Sequence, residues 1–348
     1  MGLRNTNLIT NKIDNKNLCM VDLLKVVCAI LVVYIHVPAL VDINGHINFF
    51  IKQVLCRFAV PFFFITSGYF IGSKINDYKK VKRYLIRIVK LYLIYSVIYF
   101  PFELLTNDYR TLLHPILGYI HKALFLSSFE HLWYFNALIF AIIFLYFLIK
   151  ILCVDNCYFL GAISSVLYFI GVLLFYNKDS FWIFDLYKAF FFTSRNGLFF
   201  GFPLVTLGYI IYKRDMSIRV KSKVFYIAII LLVVLSYIEV RFLESKGADN
   251  MDMTLSAPII ALLVFVLVSK RQNNWKWLNK NSGKLRAIST IIYCWHMLFR
   301  MISGKIITFL DLEIGALGRY FITLFLTIFF ANTLLILETK NKSFSVFY

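Results

Sequence analysis

Residues 20 to 40 read MVDLLKVVCAILVVYIHVPAL, an apolar run interrupted by Asp22, Lys25 and His36. About 20 apolar residues form a helix long enough to cross a bilayer core of about 30 Å. Similar runs recur along the whole chain, in which 60% of the residues are hydrophobic and only 16% are charged. The runs are continuous rather than alternating, which argues against a membrane β-barrel. The sequence therefore predicts an all-α, polytopic membrane helical bundle.

Ten apolar runs predict about ten transmembrane helices. They lie near residues 20–41, 47–72, 84–105, 132–152, 156–176, 196–212, 224–240, 254–269, 286–303 and 318–338. An even number of crossings places both termini on the same side of the membrane. We expect an N-terminal tail over 1–19, a transmembrane domain over 20–338 and a C-terminal tail over 339–348, with no separate soluble domain and no repeat of fixed period.

The net charge of +19 is concentrated in alternate loops. The loop after the second run contains five basic residues, whereas the loop at 42–46 contains no Lys or Arg. Because basic loops mark the cytoplasmic side of a membrane protein, both termini are predicted to be cytoplasmic. Basic residues beside membrane spans attract anionic lipid headgroups, so the charge indicates the lipid bilayer as a partner and no nucleic acid.

The six cysteines indicate neither disulfides nor a metal site. They form no CxxC pair and no cluster with metal-ligand spacing, and most fall within predicted spans, where cysteine behaves as a small hydrophobe. We therefore expect no metal.

The first span carries a polar stripe. Lys25 and His36 are eleven residues apart, so on a helix they lie within about 20° of one face and about 16 Å apart along the axis. Asp22 precedes Lys25 by three residues and can pair with it. Ionisable residues within a span are costly and mark function by default. The alternative is structural: Lys25 reaches the interface and His36 makes a hydrogen bond within the bundle.

The ninth span carries a second stripe, in the segment SGKLRAISTIIYCWHMLFR. Ser289, Tyr293, His296 and Arg300 follow one another at spacings of four, three and four residues, which places them on one helix face. The stripe would either line a functional site or bind a neighbouring helix.

The third span begins with the basic segment KKVKRYLIRIVKLY. Arg83, Arg87 and Lys90 would either anchor the helix in anionic lipid or hold the phosphates of a nucleotide-bearing donor.

Polar residues also gather near the opposite interface, in FEHLWYFNALIF at 129–140 and TSRNGLFFGFPLVTLGY at 193–209. Trp133 suits an aromatic belt at the membrane surface. A belt does not explain Glu130, His131, Arg195 and Asn196, which we interpret as part of a substrate pocket.

The segment RFAVPFFFITSGYF, from residue 57, combines Arg57 with Pro61 in an apolar run. Pro61 removes a backbone donor, which is tolerated where a cavity or a neighbouring helix satisfies the freed carbonyl. We expect a bend around the site, with Arg57 facing its cavity. The alternative is a simple kink from which Arg57 reaches the headgroups.

These motifs together resemble the acyltransferase-3 family of integral membrane acyltransferases. The family pattern of a basic residue, ten residues and then His matches Lys25 to His36, preceded by Asp22. RFAVPFFFITSGY resembles its second-span signature, HLWYF at 131–135 its HLWFL, and STIIYCWH at 289–296 its S-x-x-x-Y-x-x-H. The resemblance covers nearly the whole chain.

The resemblance implies transfer of an acyl group from cytoplasmic acyl-CoA to an acceptor at or beyond the outer leaflet, a small molecule or an envelope glycan. His36 would be the general base or transient acyl carrier, with Asp22 and Lys25 positioning the donor. Arg83, Arg87 and Lys90 would bind the CoA phosphates. The family commonly has Arg-x-x-Arg at this place, and this chain departs from that pattern.

Within the family, three segments look most like the membrane region of VanT-type serine racemases from vancomycin-resistant bacteria. This resemblance implies an alternative function, L-serine uptake or handling, with Arg195 on the carboxylate and Glu130 on the ammonium. It also implies a cytoplasmic racemase domain as a partner if the chain is a fragment. The chain itself has no room for racemase chemistry, so no pyridoxal phosphate is expected. The bacterial cytoplasmic membrane is the expected location.

Overall fold

The computed structural model describes residues 18–106, 115–176, 182–214, 222–270 and 275–348, and within them it contains helices and no strand. The predicted tail at 1–19 lies outside these ranges except for its last two residues. The α-helices, in chain order, are α1 (Cys19–His36), α2 (Gly45–Phe50), α3 (Ala59–Gly72), α4 (Tyr78–Thr106), α5 (Pro115–Phe125), α6 (Trp133–Lys150), α7 (Cys157–Tyr176), α8 (Trp182–Phe191), α9 (Phe202–Lys213), α10 (Ser222–Ser245), α11 (Ser256–Lys270), α12 (Lys276–Phe309) and α13 (Ala316–Lys340).

Within the described ranges, seven helical segments are long and apolar enough to cross a membrane. They are Cys19–His36, Gly45–Gly72, Tyr78–Leu104, Trp133–Lys150, Cys157–Tyr176, Lys223–Ser245 and Ala316–Lys340. The chain is therefore a multi-pass helical membrane protein. The other three predicted spans coincide with the shorter apolar helices Gly197–Lys213 and Ser256–Ser269 and with α12, whose first part is rich in lysine. The count of ten crossings and the orientation of the termini stay predictions.

The second span is a broken helix, and Pro61 lies just after the break. A π-helical turn at Ile51–Leu55 separates α2 from α3, and Pro61 is the third residue of α3. The first backbone N–H groups of a helix have no partner within the helix, so a proline there costs no hydrogen bond. The expected bend is thus a break that comes before the proline, and Arg57 occupies the turn between the two parts.

The same arrangement recurs at α9. A π-helical turn at Gly197–Gly201 leads directly into α9, which carries Pro203 as its second residue. Arg195 lies just before this turn, as Arg57 lies just after the other one. Irregular backbone within a membrane is tolerated where protein surrounds it or where it borders a cavity, and π-turns are frequent at functional sites. Both arginines therefore belong to breaks that can form part of a site.

The helices α3 and α9 are in intimate contact through two glycines. A Cβ atom on Gly68 would overlap the carbonyl oxygen of Val205, and one on Gly208 would overlap the carbonyl oxygen of Ile65. Each glycine belongs to a Thr-x-Gly-Tyr segment, at 66–69 and at 206–209. Lipid is as apolar as the helices, so close packing between small residues drives helix association in a membrane. This contact fixes the two helix breaks relative to each other.

The long helix α12 packs along α1 and also against α13. One link between α1 and α12 is polar: the buried carboxylate of Asp22 accepts a hydrogen bond of 2.6 Å from the hydroxyl of Ser282. Asp22 also forms ion pairs of 3.4 Å with Lys25 and with Arg286. The two polar stripes predicted for the first and ninth spans are thereby brought together.

Candidate functional site

A cavity of about 490 Å³ lies beside the C-terminal end of α1, and we call it the His36 cavity. It brings together side chains from α1, the break before α3, the start of α6, the segment before α9 and α12. Seven of the residues predicted for the site line it: His36, Arg57, Glu130, His131, Trp133, Arg195 and Tyr293. Charged residues that the sequence did not assign to the site also line it: Lys52, Lys122, Asp249 and Asp252.

Asp252 bridges the two arginines of the helix breaks. Its carboxylate forms ion pairs with Arg57 and with Arg195, and the side chains of Arg57 and Asp252 are only 8% and 12% exposed. Arg57 also donates to the side-chain oxygen of Gln53, and the guanidinium of Arg195 lies over the ring of Trp133 at 4.6 Å. Arg57 therefore lines the cavity and is held by partners within the bundle. Sequence reasoning missed Asp252, whose only signal is an acidic residue between two methionines, Met251 and Met253.

Asn196 has a structural place next to this cluster. It does not line the His36 cavity. Its side-chain oxygen accepts hydrogen bonds from the backbone N–H of Leu198 at 3.0 Å and Phe199 at 3.2 Å, and its amide donates to the hydroxyl of Tyr187. Asn196 thus caps the π-turn before α9 and holds the backbone that carries Arg195.

Three histidines form a cluster at the wall of the His36 cavity. The ring centroid of His296 lies 5.2 Å from that of His36 and 5.2 Å from that of His131. His296 and His131 are buried, with exposed fractions of 0% and 1%, whereas His36 is partly exposed to the cavity. The predicted pocket residue His296 does not line the cavity but lies behind His36.

A second cavity, of about 400 Å³, lies farther toward the N-terminal end of α1, and we call it the Lys25 cavity. Four cationic side chains line it, namely Lys25, Lys74, Arg87 and Arg286, and its described lining includes no Asp or Glu. The Lys25 ammonium lies 4.9 Å from the ring centre of Phe70. Such a cluster attracts an anion that can form several charge-assisted hydrogen bonds.

The predicted donor-binding residues divide between the cavity and the surface. Arg87 lines the Lys25 cavity, but Arg83 and Lys90 do not. Arg83 is exposed and its Nε donates to the carbonyl of Lys79 at 3.3 Å, while Lys90 borders a separate groove on the outside of α4. On a helix, spacings of four and three residues keep these three residues within about 60° of one face, so the helix period alone does not separate them.

Lys25 and Asp22 differ in their surroundings. The carboxylate of Asp22 is buried against Ser282 and does not line either cavity, while the Lys25 side chain lines the Lys25 cavity. Their ion pair therefore holds Lys25 in position from behind.

Tyr293 lines both cavities and divides them. Its hydroxyl donates to the backbone carbonyl of His131, and its ring contacts those of Phe63, Tyr134 and Phe135. A layer of aromatic side chains around Tyr293 therefore separates the cationic Lys25 cavity from the histidine cluster.

The described residues hold no group of three or more His, Cys, Asp and Glu side chains that could bind a metal ion. The histidine cluster itself lacks the arrangement of ligands that converge on one ion, since two of its ring nitrogens face backbone carbonyls.

The fold and the two cavities define a multi-pass membrane protein with polar sites inside its bundle. The family model for the acyltransferase domain of the acyltransferase-3 family matches residues 20–336. The chain belongs to this family.

Curated relatives extend the comparison. An amino-acid racemase of Enterococcus faecalis is 28% identical over 342 residues, which cover 92% of this chain and 46% of that protein. A serine/alanine racemase of Enterococcus gallinarum is 27% identical over 331 residues, covering 88% of this chain and 45% of that protein. The chain thus spans about half the length of these relatives. No solved structure gives a significant match.

Proposed function

We propose that this protein moves an acyl group from acyl-CoA to an acceptor of the cell envelope, through the membrane. One observation carries the proposal: α1 presents Lys25 to a cationic cavity and His36 to a second cavity, and Tyr293 borders both. A donor that carries phosphates fits the first cavity, and a reactive imidazole is available at the second.

The Lys25 cavity suits the phosphates of the donor. Lys25, Lys74, Arg87 and Arg286 come from four different segments, namely α1, the loop after α3, α4 and α12, and surround one space. Arginine offers a planar fork to a phosphate, and lysine offers a point charge. This donor site differs from the clamp of Arg83, Arg87 and Lys90 that the sequence predicted, because only Arg87 is retained. Lys74 and Arg286 are new members of the proposed site.

The chemistry at His36 is a balanced acyl exchange. An imidazole nitrogen attacks the thioester carbon, the carbon–sulfur bond breaks, and CoA leaves as the thiolate while the other ring nitrogen keeps its proton. A hydroxyl of the acceptor then attacks the acyl-imidazolium, the carbon–nitrogen bond breaks, and the hydroxyl proton passes to water, which restores the neutral imidazole. For this exchange the thioester end of the donor passes the aromatic layer around Tyr293.

The direction of transfer follows from the proposed orientation. With both tails, 1–19 and 339–348, on the cytoplasmic side of a bacterial cytoplasmic membrane, the Lys25 cavity faces the cytoplasm, where acyl-CoA is made. The His36 cavity then faces outward, toward a small-molecule or glycan acceptor. A racemase domain, as the names of the relatives indicate for those proteins, would lie on the cytoplasmic side.

The alternative of L-serine uptake uses Arg195 for the carboxylate and Glu130 for the ammonium. In the structure Arg195 is paired with Asp252, and Glu130 lies 4.0 Å from Arg300. Both groups therefore have partners within the protein, which favours acyl transfer over recognition of a zwitterion by these two residues.

The test uses proteoliposomes that enclose cell-wall glycan fragments, with radiolabelled acetyl-CoA outside. We expect label in the glycan fraction with the unmodified protein and at least a 100-fold lower rate for His36→Ala, the order of effect of a missing acid–base group. The matched control is His46→Ala, which removes an exposed histidine ten residues further along the chain. Equal transfer by His36→Ala would exclude the role of His36. Uptake of labelled L-serine above that of empty vesicles, without acyl transfer, would replace the proposal by the alternative.

A further inference from the structure

His296 is a buried histidine next to the proposed reactive residue. Its side chain is 0% exposed and lines neither cavity, so it cannot touch a substrate there. Its ring centroid is 5.2 Å from that of His36. Burying an imidazole is energetically unfavourable unless its nitrogens form hydrogen bonds. An apolar side chain would fill the same space without this requirement.

The surroundings of His296 fix where its proton lies. Nδ1 is 2.8 Å from the backbone carbonyl oxygen of Tyr293 and 3.1 Å from that of Ile292. A carbonyl oxygen only accepts, so Nδ1 carries the hydrogen. Burial disfavours a charged ring, so the other nitrogen, Nε2, presents a lone pair. Within the described part of the chain, Nε2 has no hydrogen-bond partner.

His131 is fixed in the same way and cannot supply the missing donor. Its Nε2 is 3.2 Å from the carbonyl oxygen of Cys294 and therefore carries the hydrogen of a neutral ring. Its Nδ1 is then also a buried acceptor, and it too has no partner among the described residues. The cluster thus contains two acceptor nitrogens without a described partner, Nε2 of His296 and Nδ1 of His131. In the third ring, that of His36, the N–H does not donate to a backbone carbonyl of the described residues.

From this geometry we infer that His296 is a positioning residue for His36: the Nε2 lone pair of His296 accepts the N–H of His36. Two imidazoles joined by a straight N–H···N bond have ring centroids about 5 Å apart, given an N···N distance of about 2.9 Å. A rotation of the His36 ring, without movement of the backbone, would therefore complete the bond. The bond would select one tautomer of His36 and direct its second nitrogen, with a lone pair, into the His36 cavity.

The inference rests on the proposed function, because only a reactive His36 benefits from a fixed tautomer. A histidine that attacks a thioester or removes a proton needs a lone pair on the nitrogen that faces the substrate. The partner that fixes the other nitrogen is commonly a carboxylate or a carbonyl. Here the partner is a second imidazole, whose own tautomer is fixed by the backbone of α12.

The decisive test is spectroscopic and does not depend on turnover. Nitrogen-15 NMR of histidine-labelled protein in lipid nanodiscs separates the two neutral tautomers, and the chain has only 6 histidines. The signal of His36 is assigned as the one that disappears in His36→Ala. We expect a single His36 tautomer in the unmodified protein, and a mixture in His296→Phe, which keeps a ring but offers no acceptor. His296→Gln, whose side-chain oxygen can accept, should restore most of the single tautomer.

The control is His121→Phe, which removes a histidine on α5 that packs against Phe125 and Phe190. It should leave the His36 signal unchanged. Only variants that elute as single species in detergent are compared, and His296→Leu, which also offers no acceptor, replaces His296→Phe if that variant does not fold. An unchanged single tautomer of His36 in the Phe or Leu variant would overturn the inference, because a packing role predicts that result.

Kinetic measurements test whether the contact between His296 and His36 affects acyl transfer. We expect His296→Phe to lower kcat about 10- to 100-fold with KM for acetyl-CoA unchanged, as for other residues that orient a functional histidine. Full kcat in His296→Phe would overturn the positioning role. If the unmodified protein transfers no acyl group at all, the proposed function fails, and the NMR experiment alone decides whether His296 fixes His36.

Discussion

The position of the Arg57 side chain depends on one ion pair within the bundle, that with Asp252. An arginine near the end of a span either reaches the headgroups or finds a partner inside the bundle. The guanidinium of Arg57 pairs with Asp252 and Gln53 and is almost fully buried. The sequence predicted Arg57 and Arg195 as members of one pocket, and both side chains line the His36 cavity. The sequence could not identify Asp252, because that residue is 195 positions away from Arg57 and pairing over such a distance leaves no local pattern.

Arg87 and Arg83 make a matched pair for the proposed donor site. Both lie near the start of α4, but only Arg87 lines the Lys25 cavity. We expect Arg87→Gln to raise KM for acetyl-CoA about 10- to 100-fold, since a charge-assisted hydrogen bond contributes about 1.5–3 kcal/mol. Arg83→Gln should change KM less than about twofold. The measurement is the KM of both variants for acetyl-CoA in the proteoliposome assay. A larger increase in KM for Arg83→Gln than for Arg87→Gln would contradict the Lys25 cavity as the donor site and favour the exposed surface of α4.

Each predicted apolar run coincides with a helix of the structure, because a backbone within a membrane must satisfy its own hydrogen bonds and a helix does so. The ends and breaks agree less well. Pro61 indicated a disturbance in the second span, but the break precedes it and consists of a π-turn, which has no sequence signature of its own. The sequence also did not predict that α3 packs against α9. A single Thr-x-Gly-Tyr segment does not indicate which other helix it contacts.

The α3–α9 contact leads to a prediction for the stability of the bundle. Gly208→Ala adds a methyl group against the carbonyl oxygen of Ile65, whereas Gly304→Ala adds one to α12 where no atom beyond the adjacent backbone of α12 lies within 4 Å. We expect Gly208→Ala to destabilise the protein by about 1–3 kcal/mol or more, the range for overpacking. Gly304→Ala should be neutral or slightly stabilising, because alanine favours a helix. Thermal unfolding of both variants in one detergent tests this, and equal midpoints would show that the helices separate easily.

At the scale of the whole molecule, the important feature is that one helix serves two sites. The sequence predicted that Lys25 and His36 lie on one face of α1, and the structure gives each of them its own cavity. The aromatic layer around Tyr293 could not be predicted, because its members come from α3, α6 and α12 and meet only after the bundle has formed. Transfer through the membrane follows from this division only if the two cavities face opposite sides.

The orientation of the cavities is open to a direct experiment with cysteine labelling. Cys153 is exposed and follows α6, whose last residue, Lys150, donates to the side chain of Asn76 at 2.6 Å. Cys153 therefore lies on the side of the basic loop after α3. Ile43, which is 64% exposed, follows α1 at the other end of the bundle.

We expect a membrane-impermeant maleimide to label an Ile43→Cys variant, in a background with Cys153→Ser and Cys157→Ser, on intact spheroplasts. Cys153 in a Cys157→Ser variant should react only after the membrane is permeabilised, because basic loops stay in the cytoplasm. The four other cysteines are buried, so a Cys153→Ser, Cys157→Ser variant without Ile43→Cys measures the background labelling. The reverse labelling pattern would place the Lys25 cavity outside, where no acyl-CoA is made, and would contradict the proposed direction of transfer. Labelling of both positions from outside would contradict the separation of the two cavities by the membrane.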